Sequence, residues 1–546
     1  MSINTRSHER RIPHFLMSSY RSIPGVLLST LALLGVTHVQ GDFVSDCSAL
    51  IDQISLDNVT VLSTEFVAAG TNVSLGHVPA SCKRPSHHVA SSDLCRAVMN
   101  VSTSARSGIR MEAWFPKNYT GRFLSAGNGG LGGCNSGIQH DDLDYAASLG
   151  FAAVGANNGH DGITGKPFYN NPDVVADFAW RSLHTGVVVG KQLVETFYGA
   201  PHNKSYYLGC STGGRQGFKA VQDFPEDFDG VVAGVPAFGW TGMLYWAGKL
   251  LMTTGTPGEP TFVPTRDWLT VIHDEVLKQC DALDGAADGI LENPDLCDFD
   301  VAPLICADDN ATNCLTETQA ETVRAVLSPI YDMDGTLIYP RLQPGAEYLA
   351  GLIASTGQPS AVTMDWYRYV IYNDTTWDPK TLSLDDYTFA MMQNPAGVDS
   401  LKGDLSAFAA SGGKVLHYHG LADGLITSEN SKRYYAHVQE IMNKKPAELD
   451  EFYRFFPISG MSHCVGGQGP YRIGNVAGAA GTTPDENVLM SMVRWVEEGV
   501  APEVVRGADP NGTYWRAHCK WRRKRTSTLL YVGPGGFEDE SAWQCS

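Results

Sequence analysis

The most constraining stretch of this 546-residue chain is residues 205–217, Ser-Tyr-Tyr-Leu-Gly-Cys-Ser-Thr-Gly-Gly-Arg-Gln-Gly. Tyr206, Tyr207 and Leu208 read as the end of a buried strand, and Gly209-Cys210-Ser211-Thr212-Gly213 fits the pattern G-x-S-x-G. A serine in that pattern sits on a sharp strand-to-helix turn with its hydroxyl pointing out of the sheet. Glycines two before and two after leave room for the turn and for the helix packed beneath it. The helix N-terminus brings backbone N–H groups to the place where an oxyanion would form. Taken alone, the pattern is also compatible with an inert Gly-rich turn, so the rest of the chain has to decide.

The alternation of elements around this turn predicts a mostly parallel sheet covered on both faces. The N-terminal segment, 42 to about 104, mixes short β-like runs with Cys47, Cys82 and Cys95; residues 109–115, 122–126, 151–155 and 231–237 read as strands, and 173–198 reads as a helix with an apolar face. The strand at 122–126 runs into Gly127-Asn128-Gly129-Gly130-Leu131-Gly132-Gly133, a second place where oxyanion N–H groups can come from. Strand signals return at 413–420 and 452–456. Between them, residues 241–408 show helical patterns, acidic loops and four cysteines, and read as an inserted lid domain. The expected organisation is a segment at 1–41 removed as a leader, a catalytic domain from 42–240 and 409–546, and the lid.

The leader reading rests on Arg10, Arg11 and Arg21 ahead of an apolar run from Val26 to Val36, too short to span a bilayer, with cleavage near Gly41. A start at Met17 would make it a more ordinary signal peptide. All twelve cysteines follow it, which implies up to six disulfides in an oxidising compartment. Acceptor sequons at Asn58, Asn72, Asn100, Asn118, Asn203, Asn310, Asn373 and Asn511 fit a secreted, extracellular glycoprotein. The formal charge is −19, and becomes −22 from Asp42 onward, where 36 Lys and Arg face 58 Asp and Glu. Such a surface repels nucleic acid and acidic membranes. The run Arg522-Arg523-Lys524-Arg525 reads as a solvated loop, with dibasic processing as its alternative.

A serine nucleophile needs a base, and the base needs an orienting carboxylate. In α/β-hydrolases these follow in the order Ser, Asp, His. Asp423 lies just after the strand at 413–420, and His463 just after the one at 452–456. His160, His417 and His419 compete for the role of base, but His419 precedes the aspartate and the order disfavours it. Cys210 adjoins Ser211 and Cys464 adjoins His463. A serine–imidazole contact would therefore bring these two cysteines within reach of a disulfide; otherwise each pairs elsewhere. In the insertion, Asp281, Asp284 and Asp288 stand on a Gly-containing loop that either binds a hard cation such as Ca²⁺ or is a solvated acidic turn.

These motifs resemble the tannase/feruloyl esterase family, whose mark is a Cys-Ser, Asp, His-Cys constellation with a disulfide beside the triad. Gly-Asn-Gly-Gly-Leu at 127–131, Leu-Gly-Cys-Ser-Thr-Gly-Gly-Arg-Gln-Gly at 208–217 and Glu-Phe-Tyr-Arg-Phe-Phe at 451–456 are most similar to fungal type B feruloyl esterases. The resemblance spans essentially the whole mature chain. It implies an α/β-hydrolase with a lid, in which Ser211, Asp423 and His463 cleave hydroxycinnamoyl esters of plant cell-wall polysaccharide such as xylan, or galloyl esters as in the tannases. It further implies a structural Ca²⁺ held by the side chains of Asp281, Asp284 and Asp288 and the carbonyls of Ala286 and Ile290. Cys280 with Cys297, and Cys306 with Cys314, would close the flanking loops. No organic cofactor, nucleic acid or membrane is expected as a partner, and the assembly is expected to be a monomer or homodimer. The rival class, a secreted binding protein on a dead hydrolase fold, usually lacks a triad residue, and none is missing here.

Overall fold

A computed structural model describes residues 42–546 except 76–78, 83–86, 135–137, 309–311, 476–480 and 522–528. The leader, the sequon at Asn310 and the basic run at 522–525 lie outside the described residues.

The apolar runs read from the sequence are strands of one nine-stranded sheet. They are β1 Val59–Val67, β2 Leu94–Ser102, β3 Gly108–Pro116, β4 Arg122–Ala126, β5 Phe151–Ala156, β6 Lys204–Cys210, β7 Gly230–Gly234, β8 Lys414–Gly420 and β9 Tyr453–Ile458. Their spatial order is β1-β2-β3-β5-β4-β6-β7-β8-β9. The first three pairings are antiparallel and the other five parallel. A parallel strand needs a crossover and is covered on both faces, so its residues are apolar at successive positions. Tyr206, Leu208, Val232, Leu416 and Tyr418 bury into one core. Tyr207, Val231, Ala233 and Val415, one position away, bury into the other. Each fully buried valine or leucine among them stabilises the fold by roughly 1.5–3 kcal/mol before entropy is counted. This is the expected α/β-hydrolase arrangement, and residues 43–546 form one compact unit.

Three local expectations are corrected. The strand expected at 231–237 ends at Gly234: the Val235 N–H makes the last ladder bond, to the Tyr418 carbonyl, and its backbone there turns to φ +42°. The helix expected at 173–198 begins at Pro172 and carries a wider π turn at Asp177–Arg181 before continuing to Tyr198. There the buried Asp177 carboxylate accepts from Arg181 at 2.6 Å and from the hydroxyls of Thr103 and Ser107. The N-terminal segment, read as short β-like runs, opens with a helix at Phe43–Gln53 that buries Cys47 and Leu50. A Cys47–Cys95 disulfide pins it to the sheet.

Residues 241–408 leave the sheet after β7 and return to it at β8, the neighbouring strand. They are helical apart from a two-stranded hairpin of Ile330–Tyr331 and Leu337–Tyr339.

Candidate active site

Ser211 is the residue between β6 and the helix Thr212–Asp223, and its backbone is held at φ +66°, ψ −121°. A non-glycine residue costs of order 1–3 kcal/mol in such a region and stays there only if its surroundings over-determine it. They do: Ser211 N–H donates to Gly234 O at 3.0 Å, and its carbonyl accepts from Arg215 N–H at 3.0 Å and Ala237 N–H at 3.3 Å. The turn also needs glycine for space. A Cβ on Gly209 would meet the Tyr207 hydroxyl at 2.5 Å, and one on Gly214 would meet Gly234 O at 2.1 Å. Thr212 Oγ1 donates to Gly130 O at 2.8 Å, tying the Gly-rich loop to the first turn of the helix.

The structure brings the three sequence-predicted residues into one chain of hydrogen bonds. His463 Nε2 lies 3.0 Å from Ser211 Oγ, and His463 Nδ1 lies 2.8 Å from Asp423 Oδ2. Ionised Asp423 can only accept, so Nδ1 carries the proton and Nε2 is left to receive the serine's. Asp423 Oδ1 accepts from the N–H groups of Leu425 at 2.8 Å and Ile426 at 3.0 Å. Burial alone would raise the Asp423 pKa, but the imidazoles of His463 and His419 and these bonds hold it below the usual carboxylate range. The Cys210–Cys464 disulfide is formed, and Cys464 itself sits at φ +64°. Six disulfides are present in all, including Cys280–Cys297 and Cys306–Cys314, with Cys82–Cys134 and Cys519–Cys545 completing the set.

The competing histidines are committed elsewhere. His160 is buried, with Nδ1 3.3 Å from Asn158 O. His417 and His419 are fully buried and belong to a relay behind the aspartate. Tyr453 OH meets His417 Nδ1 at 2.9 Å, His417 Nε2 meets Ser431 Oγ at 2.9 Å, Ser431 Oγ meets His419 Nδ1 at 2.6 Å, and His419 Nε2 meets Ile426 O at 2.9 Å. One proton order satisfies every member: each donates toward Ile426, the residue whose N–H holds Asp423. Burial lowers the pKa of both imidazoles, that of His419 to about 4, which keeps them neutral in this chain. Sequence reasoning missed this relay, as well as Gln216 and Asn475. Gln216 accepts from Asn128 N–H and donates to Asn158 Oδ1. Asn475 donates to the carbonyl of Cys464 at 2.7 Å and to the Tyr418 hydroxyl at 3.0 Å. Gln216 lies inside the 205–217 stretch and could have been flagged; Asn475 has no local signal.

The acidic loop has a different character. Asp281 accepts twice from Gly289 N–H, and Asp284 accepts from the N–H groups of Ala286 and Glu292. Burial, aided by Asp288 and Asp281, pushes the Asp284 carboxyl up to about 6. Asp288 Oδ2 and Glu292 Oε1 share the buried guanidinium of Arg516, at 2.8 and 2.6 Å, and that group stacks 3.7 Å from the Trp543 ring centroid. Glu292 also accepts from the Ser459 hydroxyl at the end of β9. Among the described residues no three acidic, imidazole or thiol side chains form a ready-made metal cage. A cation here would need the loop's carbonyls as well. The donor set fits a hard ion all the same: it is all oxygen, and buried Asp284 has hydrogen-bond partners drawn from backbone N–H groups.

Comparison with known proteins gives the family. The sequence pattern of the family described as "Tannase and feruloyl esterase" matches residues 95–545. A protein named probable feruloyl esterase B-2 from Neosartorya fischeri is 52% identical over 529 residues, covering 95% of this chain and 99% of that protein. Feruloyl esterase C from Talaromyces stipitatus is 53% identical over 512 residues, covering 92% and 95%. The crystal structure of feruloyl esterase B from Aspergillus oryzae superposes with a TM-score of 0.89 at 50% identity, over 92% of this chain and all of that one. The chain therefore belongs to the tannase and feruloyl esterase family and is a carboxylic ester hydrolase.

Proposed function

We propose that the chain is a secreted serine esterase that releases hydroxycinnamic acids, ferulate foremost, from their esters on plant cell-wall polysaccharide. The observation that carries this reading is the continuous hydrogen-bonded path Ser211–His463–Asp423, in a family whose similar members bear the name feruloyl esterase. Ser211 Oγ attacks the ester carbonyl while His463 Nε2 takes its proton, and Asp423 holds the imidazole and stabilises its charged form. The N–H of Thr212 and those of the Gly-rich loop receive the oxyanion. In that loop Gly127, Asn128, Gly132 and Gly133 already donate to Leu208 O, Gln216 Oε1, Gly129 O and Gly162 O, so the turn at 129–131 is the source. His463 returns the proton to the departing alcohol, and a water activated the same way resolves the acyl-enzyme.

Residues 241–408 act as the lid that recognises the phenolic acyl group. Asp281, Asp284 and Asp288, with the carbonyls of Ala286 and Ile290, hold a Ca²⁺ that balances charge and fixes the loop, away from the chemistry. The leader and the six disulfides support secretion. The deciding experiment compares initial rates on methyl ferulate, caffeate, p-coumarate and gallate. Hydroxycinnamate esters should be preferred. Preference for the gallate would assign a tannase, and no turnover of any ester would leave only a binding role.

A further inference from the structure

A cavity of about 310 Å³ lies between the insertion and the loops that carry the triad. Its lining includes Leu421 and Ala422, which precede Asp423, and Ser462, which precedes His463; Ser211, Asp423 and His463 themselves are not in it. Leu277, Leu291 and Leu349 supply apolar wall, while His273 and Gln468 supply polar groups. The volume is at the lower end of the range of about 300–1,000 Å³ usual for small-molecule sites.

His273 is the informative residue. It is 9% exposed, its Nδ1 lies 2.6 Å from Glu347 Oε1, and its buried Nε2 has no hydrogen-bond partner among the described residues. Glu347 is fully buried, and its other oxygen accepts from Gly345 N–H at 2.6 Å. The carboxylate can only accept, so Nδ1 carries a proton and the imidazole is oriented from behind. A buried nitrogen left without a partner is costly, and a ligand entering the cavity can recover that cost.

The kind of ligand follows from the surroundings. An anion would enter beside the buried carboxylate of Glu347, so it is disfavoured. A cation is disfavoured because the hydrogen bond to Glu347 biases the imidazole toward its protonated form, which has no lone pair to offer. An uncharged hydroxyl fits, since it donates to Nε2 when the imidazole is neutral and accepts from it when protonated. The leucine walls suit an apolar body behind that hydroxyl. We propose that this cavity is a phenol-binding subsite, separate from Ser211, in which an aromatic hydroxyl meets His273 Nε2. The esterase reading supplies only the source of the phenol; the binding claim stands without it.

The test is a calorimetric or NMR titration of the intact protein with guaiacol, and with veratrole, which has a methyl in place of the hydroxyl hydrogen. Guaiacol should bind wild type and Ser211→Ala alike, and at least tenfold more weakly to His273→Leu. Veratrole should bind wild type at least tenfold more weakly than guaiacol. Should His273→Leu fail to fold, Leu349→Trp fills the same space without touching the His273–Glu347 pair, and should also abolish binding. Equal affinity of the two ligands, unchanged affinity in the folded variants, or no binding at millimolar concentration would overturn the proposal and leave a water on Nε2. Loss of guaiacol binding in Ser211→Ala would place the phenol at the catalytic serine and equally refute a separate subsite. Failure of wild type to hydrolyse methyl ferulate bears on the proposed function alone, because the titration needs no turnover.

Discussion

The catalytic corner and the acidic loop are both built from carboxylates, yet they are completed in opposite ways. Asp423 is satisfied almost locally: two N–H groups from the next three residues hold one oxygen, and His463, 40 residues on, takes the other. Asp288 finds its positive partner, Arg516, 228 residues away, and Glu292 finds its own hydroxyl donor at Ser459, 167 residues away. The first arrangement makes a group with one job at one atom. The second makes a junction where the insertion, the end of β9 and the hairpin of Val504–Ala508 and Trp515–Cys519 meet. The corner should therefore fail in rate, and the loop in stability.

The sharpest way to break this contrast is Ser211→Ala. It should lower kcat by about 10⁴-fold or more with an unchanged melting temperature, checked by steady-state kinetics and calorimetry on one preparation. A variant keeping a tenth of wild-type turnover would remove the serine from the mechanism. Arg516→Met should do the reverse. It leaves Asp288 and Glu292 buried without their cation, so unfolding in denaturant should show a loss of roughly 3–5 kcal/mol, with kcat at 25 °C held in the surviving folded fraction.

The Cys210→Ala/Cys464→Ala pair tests whether the corner is stapled or aimed. A displacement near 1 Å between Ser211 and His463 costs about a hundredfold in rate, so the double variant should be slow even well below its melting temperature. Full rate with lowered stability would make the bridge a staple only. Chelation is the milder probe of the loop. EDTA should lower the melting temperature by several degrees, roughly, while changing the initial rate less than about twofold, because the ion binds only the folded state. Elemental analysis showing no metal in undialysed protein would end the Ca²⁺ proposal.

A third ionic cluster calibrates both. His88, with a ring nitrogen 3.3 Å from each of Asp141 and Asp144, is raised from 6.5 to about 9 by those carboxylates. A raised pKa stabilises the fold fully below pH 6.5, and the contribution is lost as pH rises through about 9. Wild type should lose a few degrees of melting temperature over that interval, and His88→Gln should flatten the loss; parallel curves would exclude His88 as the cause.

Much of this was legible in the sequence for the same reason that the two regions differ. Strands buried on both faces write themselves as short apolar runs, and the triad sits on loops directly after three of them, in a fixed order. The 205–217 stretch therefore located Ser211, and β8 and β9 located Asp423 and His463. What escaped depends on side chains with no shared periodicity. The relay from Tyr453 to Ile426 crosses two strands, a helix and a loop. Arg516 sits in a hairpin that only the fold brings to the acidic loop. The end of β7 was misplaced because Val235, a good strand former, turns to φ +42° directly after its N–H makes the last ladder bond, against its own preference.

The disulfide beside the triad joins positions 254 residues apart, so the chain between them is a closed ring. Secreted enzymes meet proteases, and exposed loop tips are where cuts fall. A single cut anywhere inside that ring separates no part of this molecule: the two pieces stay covalently joined at the residues flanking Ser211 and His463. On a gel such a nicked enzyme runs as one band until reductant is added, and Ser211 and His463 remain neighbours by covalent connection as well as by packing.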